Sequence, residues 1–137
     1  MEVRVPKDKV INNPSNIAEV FKAVLNAESE VDQDKEHFWT IGLNMRNVIK
    51  YVDLTSLGTI SASLVHPREV FRLAITKGTS HIILGHNHPS GTPDPSGEDM
   101  SITRRLADAG KILGIEVLDH IIIAGPKFYS FKYSGLL

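Results

Sequence analysis

Apolar residues recur at helical spacing at Ile17, Val20, Phe21, Val24 and Leu25, directly after the turn and cap chemistry of Asn13-Pro14-Ser15. They predict an amphipathic first helix reaching about Glu28. Residues 30–35 are polar and charged and predict a loop. The run 36–43 reads as a strand, 44–47 as a turn and 48–57 as a second β-rich run, an antiparallel hairpin that Gly58-Thr59 breaks. A short strand is expected over 60–64, leading to His66-Pro67, where proline suits a first helical position. Val70, Phe71, Ala74 and Ile75 then mark a helix ended by Gly78.

In the second half, residues 80–85 with Ile82-Ile83-Leu84 in succession predict a strand covered on both faces, which delivers the chain to His86. Ser96 with Asp99 three residues on resembles a capping box, and Ile102, Leu106, Ala109 and Leu113 carry a helix that Gly114 stops. An apolar strand over 115–124, a turn at 125–127 and a last strand over 128–133 complete the chain. Strands and helices alternate without strict βαβ repetition, which predicts an α/β fold with helices against a mixed sheet.

Composition narrows the classes. A chain of 137 residues with 42% hydrophobic content suits one domain with a real core. Fifteen basic against sixteen acidic residues leave a net charge of −1, so charge does not support a nucleic-acid partner. There is no cysteine, so any metal must be held by nitrogen and oxygen. No apolar run reaches the length of a membrane span and the start lacks the apolar stretch of a signal peptide, which predicts a cytoplasmic protein without a membrane partner.

Candidate chemistry lies between His86 and Asp99. In an extended backbone His86 and His88 leave on the same side and can share one ion. A solvated histidine pair is the competing reading. Pro89, Pro93 and Pro95 restrict φ and Gly91 permits an unusual turn, so the loop can fold back and bring Asp99 towards the imidazoles. Asp99 also suits the first turn of a helix simply as a carboxylate, and Ser96 suits an N-cap. Two histidines and one carboxylate leave an open position, as in catalytic rather than closed structural zinc. Glu36, at the start of an apolar strand and on one face with Phe38 and Thr40, is the carboxylate chosen as general base, although the residues alone make it one of several. Asp119-His120 interrupts an apolar strand and reads as a hydrogen-bonded structural pair or as second-layer support for the metal loop.

The string His-x-His-Pro, with seven residues between His88 and Ser96 and then Ser-x-x-Asp, resembles the JAMM motif of JAB/MPN metalloproteases. The fuller string from His86 to Gly91, with residues 65–69 before it and Asp119-His120 after it, is similar to the RadC branch of that superfamily, over roughly residues 32–137. Residues 1–31 then form an N-terminal segment with one amphipathic helix packed on a domain of residues 32–137. The resemblance implies a cytidine-deaminase-like three-layer α/β/α fold with a mixed central sheet. It implies that His86, His88 and Asp99 bind one zinc ion, that Glu36 activates water, and that Ser96 assists the tetrahedral intermediate. Asn87 replaces the Ser or Thr usual in eukaryotic deubiquitinating members, so ubiquitin-type substrates do not follow. RadC proteins commonly carry an upstream helix-hairpin-helix region, which these 137 residues do not include, so the resemblance leads one to expect either a trimmed chain or a short variant.

The expected function is zinc-dependent hydrolysis of a peptide or isopeptide amide in a protein or peptide substrate. A DNA-associated accessory module, in keeping with the family's DNA repair label, is the alternative. A third reading keeps the enzyme and changes the ion to non-haem iron. An exposed sheet edge would permit a homodimer.

Overall fold

A computed structural model describes residues 1–3, 9–61 and 63–137. Its elements run β1 (Glu2–Val3), α1 (Pro14–Asn26), α2 (Glu30–Gln33), β2 (His37–Leu43), β3 (Ile49–Leu57), α3 (Pro67–Lys77), β4 (His81–Asn87), α4 (Gly97–Leu113), β5 (Glu116–Ala124) and β6 (Lys127–Ser130). One mixed sheet has the order β1-β3-β2-β4-β5-β6. Among the described residues only β4 and β5 are parallel neighbours, and α4 is the crossover that joins them.

The central strands are buried on both faces, and their alternation sorts two cores. Trp39, Ile41, Leu43 and Ile83 meet Ile17, Phe21 and Val24 of α1. Phe38, Ile82 and Leu84 meet Val70, Phe71 and Ala74 of α3 and Ile102 and Leu106 of α4. Helices thus cover the sheet from both sides, which explains the continuous apolar reading of β4. A Cβ at Gly85 would overlap the Phe21 ring, so the absence of a side chain there seats α1 directly against β4.

The hairpin, both long helices of the second half and their glycine ends match the sequence pattern. Gly78 and Gly114 adopt the left-handed conformation at φ 65° and 73°. Three local expectations differ, and one short strand was not expected. The polar segment contains the single turn α2, because Ser29 caps it by accepting from the Asp32 N–H at 3.3 Å. The described residues within 60–64 form no strand. There Leu64 and Val65 donate to the Ser61 carbonyl, and the Ser61 and Ser63 hydroxyls bond each other at 3.0 Å, so local bonds replace a ladder. Residue 62 lies outside the described residues. The last strand ends at Ser130 rather than 133, because Asp119 accepts from the Ser130 hydroxyl at 2.6 Å and the Lys132 N–H at 3.0 Å and pulls the chain into turns. β1 was not legible as a strand; two residues pair with Val52 and Asp53 of β3.

Candidate metal centre

β4 carries His86 at its buried end, and the strand continues one residue beyond His86 to Asn87. His88 extends the same path, since its N–H donates to the Ile123 carbonyl of β5 at 2.9 Å. The period of two therefore holds across His86 and His88, and their rings meet edge to face with centroids 4.7 Å apart. The chain then turns, with the Gly91 N–H donating to the His88 carbonyl at 3.1 Å and Gly91 at φ 89°.

The returning loop ends in a complete capping box. The Ser96 hydroxyl accepts from the Asp99 N–H at 3.1 Å, and Asp99 Oδ2 accepts from the Ser96 N–H at 2.9 Å. The cap orients the carboxylate, and both of its oxygens face the histidines. His88 Nε2 lies 3.0 Å from Asp99 Oδ2, and His86 Nδ1 lies 3.1 Å from Asp99 Oδ1. Capping and facing the imidazoles are therefore concurrent roles of one side chain.

Electrostatics fits a cation among these groups. Burial alone pushes the Asp99 carboxyl up, but His86, His88 and the Ser96 N–H outweigh it and hold the group well below the usual carboxylate range. His88 is raised, chiefly by its hydrogen bond with Asp99 and against the effect of burial. Its Nδ1 donates to the Thr92 carbonyl at 2.8 Å, which leaves Nε2 to face the carboxylate. An Nε2 lone pair and a carboxylate oxygen at that separation repel unless a proton or a metal ion lies between them. His86 Nδ1 is buried and, although within ion-pair reach of Asp99, lies off the direction of a hydrogen bond and has no such partner. One ligand atom from each of His86, His88 and Asp99 lies within 4.8 Å of the others, so the group could hold a metal ion. Two imidazoles and a carboxylate are a donor set suited to zinc.

Glu36 immediately precedes β2, and the pairing of Phe38 with His86 brings it to the same end of the sheet. Its Oε2 stands 3.4 Å from His86 Nε2. Asp119 and His120 separate. Their side chains do not bond each other: Asp119 serves the turn after β6, whereas His120 lies on the His86 face with a ring-centroid distance of 6.3 Å. His120 Nδ1 bonds Thr103 Oγ1 at 2.6 Å, and Thr103 donates to the Asp99 carbonyl at 2.7 Å. Burial, aided by the nearby His86, pushes the His120 imidazole down to about 3. Thr103 and the amide of Asn87 were not singled out as site residues from sequence. Thr103 follows Asp99 by four residues, the spacing of one helical turn, which is the signal that was there to read.

The RadC-like JAB domain family matches residues 11–136. The chain belongs to the RadC family. The RadC match begins at Ile11 and so takes in α1. A UPF0758 protein of Desulfitobacterium hafniense is 48% identical over 128 residues, covering 93% of this chain and 54% of that protein. One from Moorella thermoacetica shows the same identity and coverage, 48% over 128 residues, 93% and 54%. One from Desulforudis audaxviator is 52% identical over 103 residues, 75% of this chain and 45% of the relative. The chain therefore spans about half the length of the curated relatives it matches. Among the described residues, no helix is long and apolar enough to cross a membrane.

Proposed function

We propose that this RadC-family domain is a zinc-dependent hydrolase that cleaves a peptide or isopeptide amide in a protein or peptide substrate. The observation that carries the reading is the convergence of His86, His88 and Asp99, with Glu36 Oε2 3.4 Å from the His86 ring. Zinc held by the three residues would supply a Lewis acid that acidifies water and polarises a carbonyl. Glu36 is the proton carrier: it takes a proton from the attacking water and gives it to the leaving amine. The Ser96 hydroxyl already accepts from the Asp99 N–H, which leaves its own proton for the developing oxyanion. The helices on both sheet faces support the finer description of the fold as a cytidine-deaminase-like α/β/α sandwich, in which α1 supplies one of the outer layers.

The test is metal analysis of protein purified without added metal, followed by turnover of peptide and isopeptide substrates. Glu36→Gln should keep the ion and lose turnover, and His88→Ala should lose the ion. Equal turnover in the Glu36 variant discards the mechanism, and bound iron in place of zinc changes the reaction class.

A further inference from the structure

The carboxylate of Glu36 is 43% exposed, yet it stands beside a buried imidazole, so something other than its own burial must aim it. The peptide groups around Glu36 are tied on three counts. The Lys35 carbonyl accepts from Asn87 Nδ2 at 2.9 Å, the His37 N–H donates to Asn87 Oδ1 at 2.5 Å, and the Glu36 carbonyl accepts from the Gly58 N–H at 2.9 Å. Both bonds from one side-chain amide thus bracket the residue before Glu36 and the residue after it.

The sheet explains why an amide is needed. Backbone pairing of β2 with β4 ends at Phe38 opposite His86, and Asn87 is the next residue of β4. Its side chain, 2% exposed as a residue, presents a carbonyl acceptor and an N–H donor to β2 as a peptide group does, and it continues the ladder past the last backbone pair. Because His37 N–H can only donate and the Lys35 carbonyl can only accept, the orientation of the amide is forced. The His37 ring reinforces the same segment, with Nδ1 on the Lys35 carbonyl at 2.7 Å and Nε2 on the Glu28 carboxylate. Alternation along β4 puts His86 on one face and Asn87 on the other, so adjacent residues divide the work: one faces the metal group, the other holds the carboxylate opposite it.

We propose that Asn87 is the positioning residue of Glu36, with its amide acting as a substitute peptide group that fixes where the carboxylate starts. The catalytic meaning of this rests on the hydrolytic reading above; the positioning itself does not. Asn87→Ala removes both bonds. Asn87→Asp is the second variant if alanine fails to fold, since it keeps the acceptor for His37 and replaces the Lys35 donor with a repelling oxygen.

Crystal structures of these variants should show Glu36 Oε2 displaced from its place beside His86 Nε2, while His86, His88 and Asp99 stay grouped and bind zinc with unchanged affinity. Glu36 unmoved in a folded variant overturns the proposal. Calorimetric binding of acetohydroxamate to the zinc-loaded chain gives a second readout, because a hydroxamate chelates through its oxygens and passes its proton to a neighbouring carboxylate. Asn87→Ala and Glu36→Gln should each weaken it roughly tenfold, and the double variant should be no weaker than Glu36→Gln alone. Effects that multiply in the double variant overturn the proposal. A zinc-loaded wild type that ignores the hydroxamate, with Glu36 still displaced in the variants, removes the hydrolytic reading and leaves the clamp standing.

Discussion

His88 Nε2 stands 3.0 Å from Asp99 Oδ2 while its other ring nitrogen is committed to the Thr92 carbonyl. One imidazole thereby ties both an inner point of the loop, Thr92, and its far end, Asp99. An ion held by these residues would tie the end of β4 to the start of α4, and so would favour the folded state. Zinc at about a hundred times its dissociation constant should stabilise the chain by about 2.7 kcal/mol. Thermal unfolding with and without a chelator measures this, and the chelator should make no difference to His88→Ala.

Ser96 combines two roles that one substitution can separate. Glycine at an N-cap costs only a few tenths of a kcal/mol relative to serine, whereas it has no hydroxyl to donate. Ser96→Gly should therefore keep its stability and its zinc, and lose turnover by roughly 10²-fold if the hydroxyl serves the oxyanion. Urea unfolding and kcat on a cleaved substrate, measured on the same preparation, report the two roles independently.

His120 gives a pH signature that lies apart from the carboxylates. Its folded value is held at about 3, chiefly by burial, against an ordinary value of 6.5. A depressed value means that the unfolded chain binds the extra proton first, so stability is complete above about 6.5 and is lost as the pH falls towards 3. Between pH 7 and pH 5 the loss should be about 2 kcal/mol for this one group. His120→Phe, whose ring can still stack on Phe131, should unfold in urea with that part of the pH dependence removed. Metal-free protein is the right material, and an unchanged slope in the variant would refute the assignment.

Gly85→Ala tests the seat of α1. The added Cβ meets the Phe21 ring, and overpacking of this kind costs about 1–3 kcal/mol. Combining it with Phe21→Leu should give a loss smaller than the sum of the two, measured by urea unfolding.

Much of this architecture was readable from short stretches of chain. The helix over Pro14–Asn26 follows from five apolar positions at helical spacing after an asparagine cap, and the α4 start follows from Ser96 and Asp99 alone. Two parts of the candidate metal group were equally local, because His86 and His88 are related by strand alternation and Asp99 is oriented by its cap with Ser96. The strand expected over 60–64 is not formed by the described residues there, because its pattern did not register serine side chains that bond each other instead of a ladder. The end of β6 failed because its cause, Asp119, lies eleven residues away from Ser130.

Periodicity and capping act over one helical turn or one strand pair, so the order of residues was sufficient for the long helices and central strands, the His-x-His geometry and the capped carboxylate. The approach of Glu36 to His86 is of another kind. Fifty residues separate them, and their distance follows from the register of β2 on β4, from the amide of Asn87 that extends that register, and from two cores that close the sheet on either face. Strand register is a property of the assembled sheet, in which every backbone group must find a partner at once, and no single segment carries it.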